Sequence, residues 1–233
     1  MLKIENTEVF GWEAAIRGAR NPMNSWEKSD SHTCYGVCLD CESEYGDDPN
    51  NCPLCLNEIP GDYLIGSNDL KLMKNLAKAG SDHAKYLRMI NVTMDVTAMQ
   101  PWWMEFDTYK IATVRNSCSK MHKIHVKEFM MDDFEHRGID ECGCLTKIVF
   151  EMVIAHCNVL RDKFNETQEK KYWRALIELL PEGYIMRATI QLNYEVLRHQ
   201  YHARKNHKLV EWHEYCDWIK TLPYAKELII GED

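Results

Sequence analysis

Two Cys-x2-Cys knuckles, Cys38-x2-Cys41 and Cys52-x2-Cys55, stand ten residues apart and limit most sharply how this chain can fold. Each knuckle can put two thiolates on one tetrahedral ion, and four thiolates close the coordination shell. The spacing predicts a structural Zn2+ held by Cys38, Cys41, Cys52 and Cys55, with Cys34 or His32 as a substitute ligand. Residues around the knuckles are turn formers, as in Tyr45-Gly46-Asp47-Asp48-Pro49-Asn50-Asn51 and Pro60-Gly61-Asp62. A stretch with so few apolar residues needs the metal to fold. The expectation is a zinc-ribbon-like module over residues 30–62, inserted into one domain spanning residues 1–233.

Net charge is -8, which argues against a chain whose main task is to coat a nucleic-acid backbone, because that affinity comes from clustered Lys and Arg. Met1-Leu2-Lys3-Ile4-Glu5 alternates with charge and no run of 18 apolar residues follows, so a soluble cytoplasmic protein is expected. In that setting ten cysteines are ligands, buried thiols or reactive groups rather than a disulfide framework. Cys142-Gly143-Cys144 lacks the two-residue spacer of a metal knuckle, and Cys157 and Cys216 fall at helical core positions. Cys118 differs: it lies in the polar run Arg115-Asn116-Ser117-Cys118-Ser119-Lys120-Met121-His122, where Lys120 and His122 can favour its thiolate.

Periodicity predicts a helix capped at Ser67 or Asn68, with Leu72, Met73, Leu76 and Ala77 on one face and Gly80 ending it. Ile90 to Ala98 alternates apolar and polar as a half-buried strand, and Met186 to Leu192 does the same. Helices are expected from Trp102 after Pro101, and over Leu145, Ile148, Val149, Met152, Val159 and Leu160, which lie at helical spacing over about five turns. Two more are expected from Glu169 to Leu180 and over Leu209, Trp212, Cys216 and Ile219. This order fits an α+β class with helices segregated from an antiparallel sheet.

The dinucleotide, P-loop, zinc-protease and α/β-hydrolase patterns are absent. A cationic stretch from Arg198 to Lys208 is conspicuous in an acidic chain. On a helix capped by Asn193, Leu197, Gln200 or Tyr201, and Arg204 share one stripe. The stretch reads either as a solvated cationic face or as an anion site. Arg204 is suited to gripping a phosphate or a planar carbonyl.

The run Leu180-Pro181, Arg187, Asn193, Leu197, Arg204, His207 and Trp212 resembles the C-terminal pattern of flavin-dependent thymidylate synthases, the ThyX type. Ala19-Arg20 and His83 match earlier family positions. The family signature RHRxxSxNxxSxRY falls on Thr108-Tyr109-Lys110 through Cys118-Ser119-Lys120-Met121, with two arginines and a histidine replaced by Thr108, Lys110 and Tyr109. Its flavin-region Glu falls at Arg88, and its Asn-x-Arg becomes Asn193-x-Glu195. A phosphate-binding Arg before Leu-Pro falls at Ile177, with Arg174 one turn away.

The resemblance implies a thymidylate-synthase-complementing fold and transfer of a one-carbon group from methylenetetrahydrofolate to dUMP, using FAD and NADPH, in a homotetramer. It implies that Arg204 polarises the base and that Lys120, Ser119, Arg174 and Glu105 bind the nucleotide. Asn193, His83, Tyr109, Lys110 and His207 belong to the cofactor pocket, and Cys118 becomes a candidate nucleophile toward the pyrimidine ring. Two other readings stay open. One is a nucleotide-binding protein without turnover whose zinc module recruits a partner. The other, a zinc-ribbon nucleic-acid binder, conflicts with the carboxylates and the absence of Lys and Arg between Asp40 and Glu58.

Overall fold

The computed structural model describes residues 2–33 and 63–231. Cys34, Cys38, Cys41, Cys52 and Cys55, with the Zn2+ expected on them, lie outside the described residues. In chain order the elements are β1 (Lys3–Phe10), α1 (Trp12–Arg20), β2 (His32–Thr33), β3 (Tyr63–Leu64), α2 (Ser67–Lys78), β4 (Asn91–Met99), α3 (Gln100–Phe106) and β5 (Val114–Ser117). They continue as α4 (Lys120–Lys123), α5 (Arg137–Glu141), α6 (Cys144–Thr167), α7 (Lys170–Leu179), β6 (Ile185–Asn193), α8 (Tyr194–Arg204) and α9 (Val210–Lys220). The chain is thus of the α+β class. One four-stranded sheet has the order β1-β4-β6-β5, and β2 pairs with β3 in a separate two-stranded ladder.

The chain divides into two compact units. The first comprises Met1–Glu8, Thr93–Leu192 and Ala203–Trp218. In it the strand expectations are met: Met94, Val96 and Ala98 are buried along β4 while Thr93, Asp95 and Thr97 are half-buried. Strand β5 runs antiparallel to β6 with Val114 opposite Gln191 and Ser117 opposite Ala188. Asp95 ties strands on both sides of β4, accepting hydrogen bonds from Thr189 Oγ1 and Arg187 Nη2 of β6 and Asn6 Nδ2 of β1. Thr189, then Asn6 and Arg187, hold its carboxyl down at about 2.

In the same unit Ile124, Phe129, Phe134, Ile154, Cys157, Leu176 and Leu180 form a core under α6 and α7. The expected helix is present as α6, and its inward face is set by Ile154 and Cys157. Leu145, Ile148, Val149, Met152 and Val159 are exposed, while Ile154 and Cys157 are buried. Two apolar stripes share this helix, and periodicity alone cannot say which one packs against α7.

The second unit comprises Val9–Val92, Asn193–His202 and Ile219–Asp233. Gly11, at φ +95, lets the chain turn from β1 into α1, and a Cβ there would lie 2.1 Å from the Met89 carbonyl oxygen. Trp12 packs edge-on against Tyr194 at 5.2 Å and Tyr224 at 5.5 Å. The predicted cap of α2 is corrected: neither Ser67 nor Asn68 caps it, and Asp30 instead accepts the backbone N–H groups of Asn68 and Asp69 at 2.8 and 3.0 Å. A carboxylate at a helix N-terminus satisfies orphan donors and suits the helix dipole. Asp69 is itself fully buried, taking Arg20 Nε at 2.5 Å and the hydroxyls of Ser29 and Ser31 at 2.8 and 2.6 Å. The β2–β3 ladder pairs His32 with Leu64 and Thr33 with Tyr63, so the chain segments flanking residues 34–62 are hydrogen-bonded neighbours.

Candidate functional site

In the first unit, side chains from α3, the turn after it, the end of α8 and the start of α9 converge. Pro101 near the start of α3 fixes the helical register, placing Trp102, Trp103 and Phe106 inward and Glu105 half-exposed. The Thr108 hydroxyl closes the helix by donating to the Glu105 carbonyl at 2.7 Å. Arg204 is the last residue of α8, and His207 follows in the turn whose N–H bonds the Arg204 carbonyl at 2.9 Å.

The Arg204 guanidinium is held on several sides. Its Nε donates to the Tyr109 hydroxyl at 2.9 Å, and its Nη1 donates to Glu105 Oε2. It also lies over the Trp212 ring, 4.8 Å from the centroid, and 5.4 Å from that of Tyr109. His207 Nε2 sits 3.0 Å from the same Glu105 oxygen. The Leu209 N–H donates to His207 Nδ1 at 3.1 Å, so Nδ1 is an acceptor and the ring proton belongs on Nε2, facing Glu105. Glu105 is therefore the common acceptor for Arg204 and His207. With a carboxylate already on the guanidinium, this pair does not act as a bare cation toward phosphate.

Beneath them Trp102 and Trp212, both fully buried, lie 5.1 Å apart and pack with Phe106 and Tyr215. Neither indole N–H has a hydrogen-bond partner among the described residues. Each orphan donor costs about 1–3 kcal/mol, and aromatic pairs contributing about 0.5–1.5 kcal/mol apiece offset it. Trp103 contrasts with them, donating to the Ala98 and Met186 carbonyls at 3.0 and 3.1 Å. Arg115 stacks on Trp103 at 4.1 Å and reaches Asp107 at 2.5 Å.

The remaining expected residues are more dispersed. Lys120 Nζ donates to Gln100 Oε1 at 2.7 Å. Ser119 caps the short α4, accepting the His122 N–H at 3.2 Å, and the Cys118 thiol is free and exposed. Lys110 is exposed beside Ile111, with Ala112 in a left-handed conformation at φ 56. Arg174 is exposed on α7 and paired with Glu178 at 2.8 Å. In the second unit His83 is exposed, whereas Asn193 is buried and caps α8 by accepting the Val196 N–H at 3.1 Å. Arg88, where the ThyX pattern has a carboxylate, pairs with Glu195, where it has an arginine. The two departures from the family pattern compensate each other in charge.

Thus Arg204, Glu105, Tyr109 and His207 come together around an aromatic floor, and Cys118, Lys120 and Ser119 follow one another along a neighbouring stretch of chain. Sequence reasoning missed Trp212 as the surface on which Arg204 rests and Gln100 as the partner of Lys120. For Trp212 the signal was its fixed distance from His207; for Gln100 there was none. As to a flavin, the donors present fit in kind. Lys110, in the first unit, offers an exposed ammonium for phosphate.

The fold is similar to that of solved flavin-dependent thymidylate synthases. A solved structure of flavin-dependent thymidylate synthase ThyX from Helicobacter pylori, complexed with FAD and dUMP, matches with a TM-score of 0.63 at 14% identity over 97% of each chain. A second structure of Thymidylate Synthase X from that organism, also with FAD and dUMP, matches equally over 98% of this chain and 97% of that one. No protein-family model and no curated protein matches the sequence. Among the described residues no group of three or more His, Cys, Asp or Glu is arranged to hold a metal, and no helix is long and apolar enough to cross a membrane.

Proposed function

We propose that the chain is a divergent thymidylate-synthase-like enzyme that transfers a one-carbon group to the pyrimidine of dUMP or a related nucleotide. The observation that carries this reading is the Arg204 guanidinium, fixed by Glu105 and Tyr109 over Trp212, in a fold similar along its whole length to proteins solved with FAD and dUMP.

In this reading Arg204 donates to a carbonyl of the pyrimidine and stabilises the negative charge that develops when the ring is attacked. Glu105, Tyr109 and Trp212 fix the orientation of Arg204 before the nucleotide arrives, which lowers the reorganisation needed during the reaction. His207, facing Glu105 through Nε2, keeps that carboxylate in place. Lys120 and Ser119, with Arg174, are assigned to the nucleotide phosphate. The residues assigned to FAD in this unit are Tyr109, Lys110 and His207. FAD, when bound, supplies the redox chemistry, with NADPH as reductant and methylenetetrahydrofolate as the one-carbon source. Cys118, free and exposed, is the candidate nucleophile. The module at residues 30–62 is assigned a structural Zn2+, and the exposed apolar face of α6 supports assembly into a homotetramer.

A second reading is a nucleotide-binding protein without turnover. The replacement of signature arginines by Thr108 and Lys110 favours it. The deciding experiment is titration of FAD-supplemented, desalted protein with dUMP, read in the flavin visible band, followed by a turnover assay. A retained band that shifts with dUMP, together with thymidylate formation, supports the enzyme. Binding of dUMP by colourless protein supports the second reading. The Arg204→Lys variant keeps charge but loses the planar fork, and about tenfold weaker dUMP binding is expected.

A further inference from the structure

The Glu105–Arg204 contact uses one atom from each partner. Nη1 of Arg204 meets Oε2 of Glu105, Nε is taken by Tyr109, and Oε2 is shared with His207. Nη2 of Arg204 and Oε1 of Glu105 have no hydrogen-bond partner among the described residues, on side chains that are 18% and 37% exposed. A vacant donor and a vacant acceptor therefore sit on two groups already joined to each other. An ionised carboxylate only accepts and a guanidinium only donates, so this polarity is fixed.

We infer that this pair reads the amide edge of a pyrimidine, a ring N–H next to a C=O. Oε1 of Glu105 accepts the ring N–H and Nη2 of Arg204 donates to the adjacent carbonyl. Glu105 is then a specificity-determining residue: it rejects a ring whose nitrogen carries a methyl group in place of the hydrogen. The same carboxylate turns Arg204 away from phosphate, because a dianion would meet the charge of Glu105 at close range. The nucleotide is thus recognised at this pair by its base. The inference rests on the pyrimidine-nucleotide reading above.

Calorimetric titration of the full chain with dUMP and with its N3-methyl analogue tests it. The expected result is binding of dUMP about 10- to 100-fold tighter than of the analogue, the range for a hydrogen bond to a charged group. In Glu105→Leu the two nucleotides should bind alike. In Glu105→Gln, which guards against misfolding of the leucine variant, the one amide oxygen stays on Arg204 and His207 and the NH2 faces the ring N–H, so the preference for dUMP should be lost here too. Equal binding of both nucleotides by the native chain overturns the inference and leaves the nucleotide reading standing. Binding of neither overturns that reading and the inference with it.

Discussion

Asp30 and Asp69 exchange backbone hydrogen bonds: the Asp30 N–H donates to Asp69 Oδ2 at 3.1 Å, and the Asp69 N–H donates to Asp30 Oδ1 at 3.0 Å. Each carboxylate organises the chain that carries the other. Asp30 caps α2, on which Asp69 lies, while Asp69 with Arg20 holds residues 29–31 in place. Gly66 belongs to the same knot, since a Cβ there would lie 2.2 Å from the Asp30 carboxyl carbon.

This knot makes stability depend on pH in acid. Burial alone would raise the Asp69 pKa, but hydrogen bonds from Ser31, Ser29, Arg20 and the Asp30 N–H outweigh it and hold it below the ordinary carboxylate value. A carboxyl with a depressed folded-state pKa contributes stability above its unfolded value, near about 4, which is lost as pH falls through the folded value. Urea midpoints should be flat from pH 7 to 5 and drop below pH 4. Asp69→Ala, which leaves Arg20 buried without its carboxylate, should lose about 3–5 kcal/mol. An unchanged midpoint in that variant would remove the knot from the account of stability.

The exposed face of α6 should drive self-association. Leu145, Ile148, Val149, Met152 and Val159 recur at helical spacing with no cover in the single chain. Sedimentation of the native protein should give an oligomer, and Met152→Glu should shift it toward monomer with unchanged helix content. A native chain that sediments as a monomer at tens of micromolar would refute assembly through this face.

Thiol chemistry should divide the cysteines by burial. Burial pushes the Cys157 thiol up to about 11, so little thiolate exists at pH 8 and the residue should resist iodoacetamide until the protein unfolds. Exposed Cys118, Cys142 and Cys144 should label in the folded state, read by peptide mass spectrometry. If Cys118→Ser retains full nucleotide turnover, covalent catalysis through this residue is excluded.

Zinc should copurify at one ion per chain, and Cys38→Ser with Cys52→Ser should abolish it, as measured by metal analysis of the intact protein. Iron in its place, or no metal at all, would end the zinc assignment.

Much of the framework was legible in the sequence because strand alternation reports directly which face is buried. Val92, Met94, Val96 and Ala98 behave as their pattern requires. Asn193 caps its helix because the cap is a local interaction. The cap of α2 was not legible, since its acceptor comes from Asp30 across a long stretch of sequence. Nor was the packed face of α6, where two apolar stripes compete. In the site, Arg204 and His207 could be named from their pattern, but the carboxylate that joins them could not be placed. Glu105 is brought to them by the fold, and no spacing rule links residues so far apart in the chain.

The short ladder between β2 and β3 has an evolutionary consequence. Thr33 and Tyr63 face each other as cross-strand partners, the positions that a tight hairpin turn would occupy. Sequence between them can be lengthened, exchanged or deleted without rerouting the strands on either side. A lineage with this backbone can therefore gain or lose an appended module through changes at a single locus, leaving selection on the residues around Arg204 free to proceed independently.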